Sequence, residues 1–180
     1  MLRNFSLLLC LIGISGFSLS LIAKSNLSID DINYQNSESH IATNLKVKKS
    51  FRYSTHSKDE FKVFYNTVHE LEASSYKEAY LLALAIVAAK FEFNPINKIR
   101  HFQKEKNNLE ILIAENPNNL ELRYIRLAIQ LNTPKVMSYK DNIEEDSEYI
   151  INELRSNPQI PQIIKDYFVH FLTRHDINFT

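Results

Sequence analysis

The sequence predicts an all-α fold of about six helices stacked as antiparallel hairpins. Three observations carry that expectation. From Phe61 onward, apolar residues recur at three- and four-residue spacing, the period of a helix with one buried face. Breaks at Asn94-Pro95, Asn116-Pro117 and Asn157-Pro158 separate these stretches, and connections so short make consecutive helices antiparallel neighbours. The chain has only two glycines, Gly13 and Gly16, both in the first apolar run. Tight two-residue hairpin turns lean on glycine, so a hairpin-rich β fold is disfavoured.

The chain of 180 residues is the length of one domain, preceded by an address. "MLRNFSLLLCLIGISGFSLSLIAKS" has a basic residue, Arg3, then an apolar stretch over residues 5–23 with small residues near its end. That is the pattern of a secretory signal peptide over residues 1–23, with cleavage expected after Ser20 or Ala23. An uncleaved membrane anchor over residues 5–23 is the alternative, since the run is just long enough to span a bilayer when tilted. Lipidation at Cys10 is not expected, because Leu9 stands where a small residue is required. Residues 24–56 are polar, rich in Ser and Asn, and lack a sustained apolar period. They read as a poorly ordered arm, with at most a short extended piece around Leu45–Tyr53.

The helical-hairpin domain is expected over residues 57–180. Its first helix follows the cap candidate Ser57 and places Phe61, Phe64, Tyr65, Val68 and Leu71 on one face. Ser74 and Ser75 interrupt the pattern. The second, from about Tyr76, contains "AYLLALAIVAA", too short to cross a membrane and apolar all round, hence buried on every side. The third starts at Pro95, well suited to a first turn, and ends near Glu115. The fourth lies in "NPNNLELRYIRLAIQLNTP", and the fifth follows a loop in which Asp141 and Glu144 form a candidate capping box. The sixth runs from Ile160 through Leu172. "NNLEILIAENPNNLELRYIRLAIQL" and "EYIINELRSNPQIPQIIKDYFVHFL" share one plan, helix, Asn-Pro, helix, roughly forty residues apart, within the period of helical repeats.

The "ENPNNLELRY" junction resembles the tetratricopeptide repeat, in which a helix ends at a proline before the next repeat. Aligning Pro117 with that proline puts Arg123, Arg126 and Gln130 where the repeat buries large apolar groups, so the likeness is to the hairpin architecture. From Phe61 to the C-terminus, "AKFEFNPINKIRHF", "NPNNLELRYIRLAIQLNTP" and "YKDNIEEDSEYI" resemble a family of small exported helical-hairpin proteins of Bacteroidetes-type bacteria. Members read Asn-Pro-Phe where this chain has "NPI". The resemblance implies a bacterial envelope protein, in the periplasm, and supplies no catalytic residue.

On a helical wheel Arg123, Arg126 and Gln130 share one narrow sector of an otherwise apolar helix, with Glu121 apart. A buried guanidinium needs a partner, because desolvating an unpaired charge is too costly. The acidic run of the next helix supplies Glu144, Glu145 and Asp146 as pairing candidates. The other reading places the arginines in a groove, gripping a carboxylate or phosphate in bidentate fashion.

Other chemistry is excluded or weakly supported. A zero formal charge removes the usual electrostatic basis for nucleic-acid binding, and no phosphate cradle forms without glycine. With Cys10 alone in the first apolar run, the folded part has no disulfide, no zinc knuckle and no cysteine nucleophile. "HELEA" at His69 has Ala73 where a zinc-protease helix needs its second histidine, and His170 and His175 are off the spacing for a shared metal. Ser74-Ser75 lacks a nucleophile elbow, the Asp30-Asp31 pair lies in the arm, and "INKIRHFQKEK" reads as a solvated face. No catalytic residue, metal or cofactor is therefore expected. The function expected is a non-enzymatic protein-interaction or scaffold module whose partner is another envelope protein, with Tyr124, Arg126, Gln130 and Tyr139 at the interface. The alternative is a binder of a small anionic ligand through the Arg123/Arg126 wedge. Membrane contact is expected only through the N-terminal segment, if uncleaved.

Overall fold

The structure, a computed structural model, describes residues 38–179; the expected signal segment and residues 24–37 of the arm lie outside them. The described residues form seven α-helices and no strand: α1 Glu38–Tyr53, α2 Lys58–Glu70, α3 Ser75–Ala88, α4 Pro95–Glu115, α5 Leu120–Asn132, α6 Ile143–Ser156 and α7 Gln162–Arg174. Single 3₁₀ turns follow α3 (Ala89–Phe91) and α5 (Lys135–Met137).

The all-α expectation holds, and the helix count rises from six to seven. The additional helix is α1, which replaces both the poorly ordered arm from Glu38 onward and the extended piece around Leu45–Tyr53. Its inner face buries Val47, Lys48, Ser50 and Phe51. An apolar stripe with a lysine in it does not read as a buried face, so the pattern conceals the helix.

Each boundary has a local cause. Ser57 and Ser74 cap α2 and α3, accepting from the amides of Glu60 (3.1 Å) and Lys77 (3.2 Å). Asn94, before Pro95 at the first turn of α4, accepts from Ile96 and Asn97. Asn119 does the same for α5, accepting from Glu121 and Leu122. Asparagine therefore works here as a cap, while the two positive-φ positions among the described residues fall to Ser138 (φ 47°) and Asp176 (φ 58°). The capping box expected from Asp141 and Glu144 does not form: α6 begins after Asn142, whose side chain caps nothing. Asn142 is instead tied into a network described below.

Successive helices pack on one another from α1 through α6, α3 also packs on α5, and α7 returns to α1. The α1–α7 contact matters, because an open solenoid touches only nearest neighbours. Here the last helix covers the first. Helix α3 sits at the centre, with Ala79, Tyr80, Ala83, Leu84, Ile86 and Val87 buried, and its alanines let α2, α4 and α5 approach. Tyr124 on α5 is the aromatic hub. Its ring meets Phe51, Phe168 and Phe171 edge-on at centroid distances of 6.0, 5.2 and 5.1 Å.

Candidate functional site

Two polar networks and one groove account for the chemistry-bearing side chains. The first network is built on the arginines of α5. Asp146, fully buried in the first turn of α6, accepts from Arg126 Nε (2.7 Å) and Nη2 (2.7 Å) and from Arg123 Nη1 (2.9 Å). Arg126 Nη1 donates to Glu110 Oε2 on α4 at 2.8 Å, and Tyr139 donates its hydroxyl to the other oxygen of Glu110. Arg123 Nη1 also reaches Glu145 at 2.5 Å, and its Nε donates to the Pro117 carbonyl. Gln130 Nε2 donates to Asn142 Oδ1, and Asn142 Nδ2 donates to Glu145, which closes the circuit.

Electrostatics follow from that geometry. Burial opposes the charge on Arg126, but the hydrogen bonds and charges of Asp146 and Glu110 outweigh it and hold the guanidinium protonated. The bond from Arg123 pulls Glu145 below the usual carboxylate range. Burial first, and then the bond to Glu110, push the Tyr139 hydroxyl far up. Arg126 spends Nε, Nη1 and Nη2 on Asp146 and Glu110, and Arg123 spends Nη1 on Glu145 and Asp146, so the wedge pairs with carboxylates of this chain. Glu144 is exposed and pairs with neither arginine.

The positions expected at a partner interface lie elsewhere than at a surface. Tyr124 and Gln130 are 0% exposed, and Arg126 and Tyr139 each 4%. Tyr124, Arg126 and Gln130 are interior because α5 is packed by α3, α4 and α6 and meets the aromatic rings of α7, while Tyr139, in the loop after α5, is covered by Phe102 and bonded to Glu110 of α4.

The second network went unrecognised in the sequence. Lys48, completely buried on α1, donates to both carboxylate oxygens of Glu121 at 2.5 Å, and Tyr80 donates to the same carboxylate. The ammonium lies 5.4–5.8 Å from the ring centres of Tyr76, Tyr80, Tyr124 and Phe168. Tyr167 donates to the Lys48 carbonyl and meets the Tyr124 hydroxyl at 2.8 Å. Burial pulls the Lys48 pKa down against the pull of Glu121, and pushes Tyr80 and Tyr124 well up. No solvent path reaches this lysine, so it ties α1 to α3, α5 and α7 and has no access to a substrate.

What is open is a groove of about 570 Å³, the size of a small-molecule site. Its floor is apolar, formed by Phe51 of α1, Ile86 of α3, Phe102 of α4, Ile129 of α5 and Phe171 of α7. Its ionisable wall residues are all basic: Arg52, His56, Lys90, Lys98, Arg174 and His175. Lys90 spends its ammonium on the Thr55 carbonyl (2.6 Å), and the His56 ring meets the Tyr53 carbonyl (3.1 Å). Arg52, Lys98 and Arg174 have no ion pair with any described residue. Lys98, expected on a solvated face, and His175, set aside in the sequence as a metal ligand, are both half-buried walls of this groove. A second depression of about 570 Å³ is lined by Thr173, Asp176, Ile177, Asn178 and Phe179.

Among the described residues no group of three or more His, Cys, Asp or Glu side chains is arranged to hold a metal ion. No described helix is long and apolar enough to cross a membrane. His69, of "HELEA", is exposed with its ring nitrogen on the Tyr65 carbonyl, and Ser74 is a helix cap. Among the described residues, fold and site together define a class: an all-helical bundle with two buried polar networks, in which Gln130 Oε1 and the Tyr76 hydroxyl have no hydrogen-bond partner, and an open groove with a largely apolar lining. The chain matches no protein-family model, no curated protein and no solved structure.

Proposed function

We propose that this is a non-enzymatic binding protein of the bacterial envelope, which takes an apolar ligand into the groove between α1, α3, α4, α5 and α7. The observation that carries the reading is the groove itself, an open apolar concavity of about 570 Å³ walled by five helices. The two polar networks support the non-enzymatic part, since their ionisable groups are paired with one another and Lys48, Arg126 and Asp146 are buried. The signal-peptide pattern expected over residues 1–23 and the resemblance to exported helical-hairpin proteins support the location. A neutral solvatochromic dye added to the purified protein tests the proposal. Binding with a blue-shifted emission is expected, and its loss in Ile99→Glu and Met137→Glu, two solvent-reaching groove residues, with unchanged circular dichroism. A wild-type protein that binds no such dye refutes the reading.

A second reading, docking of another envelope protein, is favoured by Phe93, Ile96 and Val136. These apolar side chains are 102%, 67% and 87% exposed and lie next in sequence to groove-wall segments. The interface then moves from the buried positions on α5 to this rim. Cross-linking in intact cells, with Phe93→Asp and Val136→Asp as controls, tests it.

A further inference from the structure

The charge on the groove wall narrows the ligand. The chain balances 21 basic against 21 acidic residues, yet no carboxylate lines the groove. Such segregation over a low-dielectric floor focuses positive potential into the concavity. Arg52, Arg174 and His175 all line this groove; burial first, and then the charges of Arg174 and Arg52, hold the His175 imidazole below its ordinary range, while the adjacent Asp176 works the other way. His175 in turn leans on Phe171 of the floor, ring centres 5.0 Å apart. Two guanidinium groups without ion pairs among the described residues therefore stand where basic wall meets apolar floor. Guanidinium is a bidentate partner for a carboxylate, and Phe51, Phe102, Ile129 and Phe171 offer apolar contact beyond it.

Resting on the proposed binding function, we infer that the groove takes a single-chain amphiphilic acid, a long-chain fatty carboxylate, with its head on Arg52 and Arg174 and its chain along Phe51, Phe102, Ile129 and Phe171. The headgroup alone gains little, because its charge is held at a partly hydrated wall, and the chain alone leaves the guanidinium groups beside an apolar ligand with nothing to pair. Both halves together satisfy both surfaces.

Calorimetric titration of the purified protein with laurate, below its micelle concentration, tests the inference alongside dodecanol and acetate. Laurate is expected to bind at least about tenfold more tightly than dodecanol, and acetate not at all. Arg52→Gln and Arg174→Gln are expected to weaken laurate by about tenfold each while leaving dodecanol unchanged. Arg174 is exposed, so its variant folds whatever happens to Arg52. Equal affinity for laurate and dodecanol, or laurate binding indifferent to both arginines, overturns the acid specificity and leaves the apolar-ligand reading standing. Binding to phosphatidylglycerol vesicles with none to monomeric laurate overturns the inference in favour of a membrane surface. Failure of laurate, dodecanol and the neutral dye alike removes the binding function itself.

Discussion

Replacing Lys48 by methionine isolates the energetics of the pair that anchors α1. The stem of methionine fits the aromatic enclosure of Tyr76, Tyr80, Tyr124 and Phe168 with little change of volume, so the perturbation is mainly the lost charge. Removing one partner of a buried ion pair leaves the other uncompensated and destabilises by about 3–5 kcal/mol. The Glu121 side chain is 15% exposed and keeps the Tyr80 hydroxyl, so it recovers some solvation and the low end, about 3 kcal/mol, is expected. For a bundle of this size that lowers the melting temperature by about 10 °C. Adding Glu121→Gln removes the stranded charge but retains a group that accepts from Tyr80. The double variant is expected to regain at least about 1.5 kcal/mol over the single one, a coupling energy well above the additivity error. Urea unfolding followed by helical circular dichroism measures all four members of the cycle. A loss under about 1 kcal/mol for Lys48→Met, or strict additivity, refutes the claim that this pair is buried and coupled.

Three further outcomes are expected. Deleting residues through Tyr53 removes Lys48, Val47 and Phe51 from the core and should abolish cooperative thermal unfolding; an unchanged melt would restore the dispensable arm. Asp146→Asn, which withdraws charge from three guanidinium bonds at a fully buried site, should cost about 3 kcal/mol in urea unfolding, whereas Glu110→Gln, part-exposed, should cost about 1 kcal/mol. A reversed order would show that Glu110 anchors Arg126. Burial raises Tyr80, Tyr124 and Tyr139 above their ordinary pKa of 10.0 and pushes Tyr167 up to about 12, so the folded state holds these protons more tightly than the unfolded chain. Their contribution is therefore complete below pH 10 and lost as the pH rises beyond it. Tyrosinate absorbance should show the buried hydroxyls of Tyr80, Tyr124 and Tyr139 ionising only together with loss of helix; their ionisation near pH 10 with the helices intact would refute their burial.

How much of this was legible depends on what a helix buries. Where the hidden face is apolar, as with Phe61, Phe64 and Val68 on α2 or Ile164, Phe168 and Phe171 on α7, the period of three and four announces the helix from sequence. The stripe of α1 runs through Ile41, Leu45, Lys48 and Phe51 at the same spacing, but its third member is a cation. A periodicity argument scores Lys48 as solvent-facing, because the carboxylate that makes its burial tolerable is 73 positions away. The Asp146 partner of Arg126 is only 20 positions distant, on the next helix, and local adjacency is enough to nominate it. Glu110, on the preceding helix, belongs to the same site yet was not singled out, since it sits among the polar residues of α4 and needs the α4–α5 packing to bring it near. The groove is the extreme case. It arises from α1, α3, α4, α5 and α7 together, and no one of them carries a pattern that marks it. Local periodicity thus reports which face of a helix is buried in apolar surroundings, while buried charge pairs and concave sites depend on distant helices meeting. That is why Arg52 and Arg174, unremarkable in one dimension, become the residues that meet the carboxylate head.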